Sequence, residues 1–437
     1  MKRSHYISDI PAEPGANVRI AGWVENTKEV GRLIFIWVRD RTGVAQLTVK
    51  KNSVEPEVLE TAKAIGLHDF IAAEGTVPDK ITAKVGVEII PSRIEVLSRA
   101  DKPLPLDVSG VVESNLDTRL DWRAIDLRNP KQQAVFKVQA KLLEGMQEYL
   151  NTHGYLQVFT PCLIGAPSEG GAELFEVKFF DKTAYLRQDP QLHRQLLMVA
   201  GFDRIYDLGP NWRAEPSHTP RHLCEHRGCA VELSFIDDEH DVMRVEEELV
   251  VNGIKNVVEE CQKEIELLGA EVEVPKRPFP ELRFPEVYEI LESMGKHIPR
   301  GEDLDREAEK LLARYVKEKY GHDFFFVNRF PYRVKPFYVM RVDEEPEWAR
   351  SIDLVYRGLE LSSGGQREHR YERIIEQVGD KGMNLENLRW FTEFFRYGAP
   401  PHGGFNIGVE RLTMAMLGLG NIREAASFPR APERLLP

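Results

Sequence analysis

Over the first hundred residues, apolar and polar side chains alternate with a period of two. Residues 18–24, 33–40, 44–49, 70–77 and 87–90 each read as a strand, with turn residues such as Thr42-Gly43 between them. One helix is expected between the third and fourth strands, near residues 55–65. Lys102-Pro103-Leu104-Pro105-Leu106-Asp107 then breaks the pattern, because proline lacks the donor that a helix interior or a central strand needs. From there to about Pro130 the chain is polar and rich in Asn, Asp and Arg, as interdomain connectors are. The period then becomes helical. Val135, Val138, Leu142, Met146, Tyr149 and Leu150 share one face of a helix expected from about Gln133 to Thr152. Gly154 ends it, and residues 155–159 form a strand stopped by Thr160-Pro161. A long amphipathic helix is expected over about 241–268, a charged helical insertion over about 275–322, and strands at 324–327 and 337–340. The division is therefore 1–102, a hinge over 103–130, and a larger body over 131–437.

Five short strands with one helix outline a small Greek-key barrel, the OB-fold, whose face binds oligonucleotides. Aromatics beside Arg and Gln on such a face stack on and read unpaired bases; the same aromatics also suit the core of a barrel with no ligand. A length of 437 residues allows two or three domains with real cores. The net charge of −12 argues against a protein that coats nucleic acid, but not against one that docks it through a local patch. Acidic and basic side chains balance over residues 1–107, so the N-terminal part is the less repulsive surface for a polyanion. No apolar run approaches the roughly 20 residues that span a bilayer. Met1-Lys2-Arg3-Ser4-His5-Tyr6 lacks an apolar signal core, so a cytoplasmic location without a membrane partner is expected. Four cysteines are too few for a disulfide scaffold. Cys224 and Cys229 with His222 and His226 resemble half a zinc site, but their spacing fits no common template.

Two arginines change the picture most. Arg213 lies in Trp212-Arg213-Ala214-Glu215, followed by a polar loop and Arg221-His222-Leu223. Arg411 closes Gly403-Gly404-Phe405-Asn406-Ile407-Gly408-Val409-Glu410-Arg411. A guanidinium keeps its charge near neutral pH, and its planar fork suits phosphate oxygens. One such fork on a strand and another opening a helix would clamp both ends of a triphosphate. Gly403, Gly404 and Gly408 would remove side chains where the strand runs close to that nucleotide.

Taken in order, three segments resemble the signature motifs of class II aminoacyl-tRNA synthetases. The helix and strand ending in Thr160-Pro161 resemble the motif that builds the dimer interface in that family. The Arg213 and Arg411 segments resemble the other two. With an OB-fold in front, the layout is similar to the subgroup for aspartate, asparagine and lysine. Glu169-Gly170-Gly171, Pro190-Gln191-Leu192, Arg221-His222-Leu223, Ser362-Ser363-Gly364-Gly365-Gln366-Arg367 and Tyr397-Gly398-Ala399-Pro400-Pro401-His402-Gly403-Gly404 look most like archaeal-type aspartyl-tRNA synthetases. The resemblance implies an α+β fold: an N-terminal OB-fold β-barrel, then a catalytic domain on a mainly antiparallel sheet flanked by helices. It also implies a homodimer that uses ATP, aspartate, Mg²⁺ and tRNA(Asp), with tRNA(Asn) left open. Arg213 would hold the α-phosphate and the amino-acid carboxylate, and Arg411 the γ-phosphate, as the catalytic pair. Glu215, Arg221, His222, Leu223, Gly408 and Glu410 would complete the ATP site. Glu360 and Ser363 would meet Mg²⁺, which takes hard oxygen ligands. Glu169 would meet the substrate ammonium and Arg367 its side-chain carboxylate, with Gln191, Arg194 and Ser363 around them. A guanidinium unpaired in a closed pocket demands an anion, which favours aspartate; pairing of Arg367 with Glu368 or Glu372 is the competing reading. Phe35, Gln46 and Glu74 stand where the family reads the central anticodon base, and Phe35 would otherwise pack in the barrel core.

The chain departs from the family in one cluster. Gln188-Asp189-Pro190-Gln191-Leu192-His193-Arg194 replaces Gln-Ser-Pro-Gln-Leu-Tyr-Lys, whose lysine helps hold the aspartate side chain. After Arg221-His222-Leu223, the usual Asn-Glu and a later Asp become Cys224-Glu225 and Ala230, and a common motif-1 Glu becomes Gln157. Either Arg194 and its neighbours compensate in a working aspartate enzyme, or the chain is a paralogue or engineered variant for another acid or acceptor. A non-enzymatic tRNA- or protein-binding module is the rival from a different class, and intact Arg213, Glu360 and Arg411 weigh against it.

Overall fold

Alternation in the first hundred residues closes into a barrel. Strands β1 (Asn17–Val30), β2 (Leu33–Arg39), β3 (Val44–Lys50), β4 (Phe70–Thr76) and β5 (Glu88–Ser98) pair in the closed order β1-β2-β3-β5-β4. On β2, Ile34, Ile36 and Val38 fill the interior, while Leu33, Phe35 and Trp37 sit half-buried on the outer face. The helix expected after β3 is Pro56–Ala64, with proline in its first turn. β5 runs eight residues past the expected Ile90, because outward-facing Ser92 and Arg93 hide its continuation in the hydropathy pattern. The computed structural model describes residues 2–166, 174–214, 216 and 219–437. They form two units, Met1–Pro105 and Leu106–Pro437.

The second unit is built on β6 (Leu156–Gln157), β7 (Leu163–Ile164), β8 (Glu176–Phe179), β9 (Lys182–Leu186), β10 (Arg204–Trp212), β11 (Glu225–Ser234), β12 (Glu281–Arg283), β13 (Phe324–Asn328), β14 (Ser351–Tyr356), β15 (Leu359–Arg367) and β16 (His402–Gly408). Eight of them form one sheet in the order β12-β13-β14-β15-β16-β11-β10-β6, and β7-β9-β8 form a small second sheet. The six inner strands of the large sheet are antiparallel; β6 and β12 join its edges in parallel.

The helix Pro130–Thr152 starts from Asn129, whose side chain accepts the Lys131 N–H. Its apolar face packs on the helix Glu239–Glu260. A Cβ on Gly145 would lie 2.6 Å from Asn256 Cβ, so glycine there permits the close crossing. The expected helix over 241–268 is two helices, Glu239–Glu260 and Gln262–Leu268, broken at Cys261. No glycine or proline marks that break, and the apolar pattern runs through it. Residues 337–340 do not return to the sheet; Val339 alone makes an isolated bridge, to Arg367. Phe337, Tyr338 and Val339 are apolar because they fill a core shared with Ile374, Leu388 and Phe391. The stretch 275–322 carries helices Glu286–Ser293 and Arg306–Tyr320, and also contributes β12. Within 103–130, Leu116–Asp121 and Arg123–Asp126 are helical, and buried Arg123 donates to the carbonyls of Glu424, Ala426 and Ser427. Among the described residues no helix is long and apolar enough to cross a membrane.

Glu246, fully buried on the helix Glu239–Glu260, accepts the Ser362 hydroxyl of β15. Burial pushes its carboxyl from about 4.5 up to about 8. The folded chain therefore holds a proton there that the unfolded chain releases, so this group's contribution to stability falls as pH rises from about 4.5 to 8. Glu246→Gln is expected to gain stability over the parent between pH 5 and pH 8.5, by roughly 1–3 kcal/mol, in urea unfolding at both pH values.

Candidate active site

Strand β16 runs along a cleft of about 480 Å³. Near its start, the Gly404 carbonyl accepts from Arg367 Nη2 at 2.9 Å. At its far end, Gly408 leads into the helix Val409–Leu417, whose first turn carries Arg411. Arg213 follows the end of β10, and its backbone N–H donates to the Cys224 carbonyl at 3.0 Å. Arg213, Arg221, His222, Leu223, Gly408, Glu410 and Arg411 all line the cleft. Glu360, Ser363, Gln191 and Arg367 do so as well. Glu169 and Glu215 lie outside the described residues.

The two arginines bear on one imidazole. Burial first, then the Arg213 and Arg411 charges, push His226 down to about 3, so it is neutral at pH 7. His226 lines the cleft from β11, a position the sequence suggested only for zinc. Arg411 Nη1 donates to the Glu360 carbonyl at 3.1 Å and lies 3.6 Å from its carboxylate. Glu410 accepts the Arg227 backbone N–H at 2.9 Å, and burial raises it to about 6. Arg221 pairs with Glu309 at 3.4 Å, and burial with the nearby Glu360 charge raises Glu309 to about 7.

Asp353 is a member of this site that the motifs did not reveal. It faces Ser363 across the β14–β15 register and lies 3.1 Å from Lys335 Nζ. Burial and the Glu360 carboxylate push it up to about 7 against the pull of Lys335. Two carboxylates and a hydroxyl thus line the same cleft, with Lys335 beside one carboxylate and Arg411 beside the other, a hard-oxygen set that fits a divalent cation. No such set forms at Cys224, Cys229, His222 and His226. Among the described residues, the His/Cys/Asp/Glu group close enough to share an ion is Asp238, Glu239 and His240. His240 there already lies near Asp238 and Glu281 through its two ring nitrogens. Burial pushes the Cys229 thiol up to about 12, leaving it protonated.

The end of the cleft expected to hold the amino acid differs from the expected arrangement in two ways. Arg194 does not line the cleft: it is fully buried behind the wall, 2.6 Å from Asp189 Oδ1 and 3.4 Å from Glu232, and donates to Gln191 Oε1. Its branched head reaches these acceptors, and Asp189 and Glu232 hold its charge against burial. Arg367 is not an unpaired guanidinium, since its Nε donates to Glu232 Oε1 at 3.0 Å. Nor does it pair with Glu368, which is taken by Arg370 at 2.8 Å. Glu232 is therefore shared between two buried arginines.

Strand neighbours also act on the glycines. A Cβ on Gly404 would meet the Val231 carbonyl at 2.1 Å, and one on Gly403 the Gly365 carbonyl at 2.7 Å. Close strand neighbours require both glycines. Gly408 has ordinary room, its nearest contact being 3.6 Å away.

On the barrel, Phe35 stands on the outer face with Trp37, ring centroids 6.1 Å apart, and not in the core. Gln46, in register with Trp37, donates to Thr48 Oγ1 at 3.0 Å. Glu74 lies 3.6 Å from Arg19 on the neighbouring strand.

An antiparallel sheet whose cleft carries one guanidinium after a strand and another opening a helix defines a class: the ATP-dependent aminoacyl-tRNA ligases of class II. Within it, the chain belongs to the tRNA synthetases class II (D, K and N), whose family pattern covers residues 115–432. An OB-fold nucleic acid binding domain covers residues 18–97. The chain is 45% identical to the aspartate–tRNA(Asp) ligase of Pyrococcus furiosus, over 100% of both. It is 42% identical to the aspartate–tRNA(Asp/Asn) ligase of Aeropyrum pernix, again over 100% of both. Among solved structures it is similar to asparaginyl-tRNA synthetase from Pyrococcus horikoshii complexed with asparaginyl-adenylate, with TM-score 0.92 and 35% identity over 100% of each chain.

Proposed function

We propose that the chain activates aspartate with ATP and transfers the aspartyl group to the 3′ end of tRNA(Asp). In the first step a carboxylate oxygen of aspartate attacks the α-phosphorus of ATP, and pyrophosphate leaves. Little covalent help is needed from the protein; it positions the reactants and offsets growing negative charge. Arg213 would hold the α-phosphate against the attacking carboxylate, and Arg411 the γ-phosphate. Neutral His226, with both guanidiniums bearing on it, offers a flat uncharged face for the base. Asp353, Glu360 and Ser363 would hold Mg²⁺, which supplies charge neutralisation to the polyphosphate when bound. Phe35 and Glu74 on the outer face, with buried Gln46 beneath it, would meet an unpaired base.

Arg367 carries the choice of aspartate. It lines the amino-acid end, and among the described residues its carboxylate partner, Glu232, is shared with Arg194. A substrate carboxylate would supply the second partner. Exposed Leu156 and Phe159 at the β6 edge support a homodimer formed there. The Aeropyrum relative's name supports tRNA(Asn) as a second acceptor. ATP–pyrophosphate exchange measured across the twenty amino acids should respond to aspartate above all others. Exchange with asparagine alone would overturn the reading, as would tRNA binding without any exchange.

A further inference from the structure

We propose that Asp189 receives the α-ammonium of the amino acid, acting as the carboxylate that β11 does not supply at Ala230; this rests on reading the cleft as an amino-acid-activating site. Asp189 precedes the helix Gln191–Val199 and lines the cleft, with 15% of its side chain exposed. Its Oδ1 accepts from Arg194 Nη1 at 2.6 Å, and its Oδ2 accepts from Asn406 Nδ2 at 3.3 Å and from Arg194 Nη2 at 3.5 Å. Asn406 is the cross-strand partner of Ala230, so the amide that holds Asp189 comes from the residue paired with the position where β11 offers no acceptor. An ionised carboxylate has about four lone-pair sites, which leaves capacity for one more donor.

The other carboxylates near the cleft are committed elsewhere. Glu232 is fully buried and receives Arg367, Arg194 and Gln191. Glu410 holds the Arg227 N–H. Asp353 and Glu360 sit with Lys335 and Arg411 at the polyphosphate end, and Asp303 bears on Lys335 and Asp353 there. Among the described residues lining the cleft, Asp189 is the carboxylate at the amino-acid end. Charge balance agrees. Arg194 and Arg367 are matched by Asp189 and Glu232. An ammonium placed on Asp189 leaves one excess positive charge, which a side-chain carboxylate on Arg367 neutralises.

The test compares aspartate with succinate, which is aspartate without its ammonium. In Asp189→Asn, the aspartate KM in ATP–pyrophosphate exchange should rise by about 10- to 100-fold, with the ATP KM unchanged. Succinate should inhibit the variant at least as well as the parent. In Asp189→Asn/Arg194→Met, which removes both charges, the loss for aspartate should persist. Parallel weakening of aspartate and succinate would overturn the proposal and make Asp189 a support for the wall. Recovery of the aspartate KM in the double variant would overturn it too, by reducing Asp189 to a counter-ion for Arg194. An unchanged aspartate KM would also overturn it. If the parent responds to asparagine instead of aspartate, the choice of substrate fails separately, and the same comparison is run with asparagine and succinamate.

Discussion

Arg213→Ala is expected to lower kcat/KM for aspartate-dependent ATP–pyrophosphate exchange by roughly 10³- to 10⁴-fold. The size follows from a double task. One guanidinium would orient the attacking carboxylate and also offset charge on the phosphate it attacks, so its loss removes positioning and electrostatic stabilisation together. Arg213→Lys keeps the charge but not the planar fork, and should recover only part of the loss, remaining about 10²-fold below the parent. Both variants should melt near the parent temperature, because Arg213 is partly exposed in the cleft. The fall should appear mainly in kcat, since the interaction strengthens as charge develops. A fall confined to the ATP KM would assign Arg213 to uniform nucleotide binding instead.

Arg367→Leu is expected to lower kcat/KM for aspartate by roughly 10³-fold while leaving the ATP KM within about twofold. Arg367 lies 3.0 Å from Glu232 and lines the amino-acid end, whereas the arginines of the nucleotide end stand at the opposite end of β16. The substitution also strands part of a buried charge, because Glu232 is left with Arg194 as its cation. A loss of stability of roughly 3–5 kcal/mol is therefore expected as well. The two effects separate in Arg367→Leu/Glu232→Gln. Removing both partners should restore much of the stability, measured by urea unfolding, without restoring exchange with aspartate. If stability and exchange recover together, Arg367 only braces the fold.

How much of this was legible in the sequence depends on how locally each feature is encoded. The barrel strands follow from period-two alternation, and β2 shows it directly, with Ile34, Ile36 and Val38 inside and Phe35 and Trp37 outside. Arg213 and Arg411 are legible because each sits in a short segment whose glycines or polar loop already suggest a phosphate. Gly403 and Gly404 were legible as special, but for a different reason: the neighbouring strands leave no room for a Cβ. Asp353 was hidden because its partners are Lys335, Ser363 and Glu360, brought together only by strand pairing. One signal was present: an acid in the middle of the otherwise apolar Ser351–Tyr356 strand, where an unpartnered charge would be costly. The commitment of Arg194 was also hidden. Asp189 is five residues away, but Glu232 is 38 away, and no periodicity places it opposite. Without Glu232, an arginine in place of a lysine reads as a substrate ligand; with it, that arginine is a wall element.

Two permanently charged forks are expected to grip one bent triphosphate from opposite sides. A crystal structure of the full chain soaked with a non-hydrolysable ATP analogue tests this most directly. Arg213 should lie at hydrogen-bond distance from the α-phosphate, Arg411 at the γ-phosphate, and the base against His226. A nucleotide bound elsewhere, or phosphates that touch neither arginine, would contradict it.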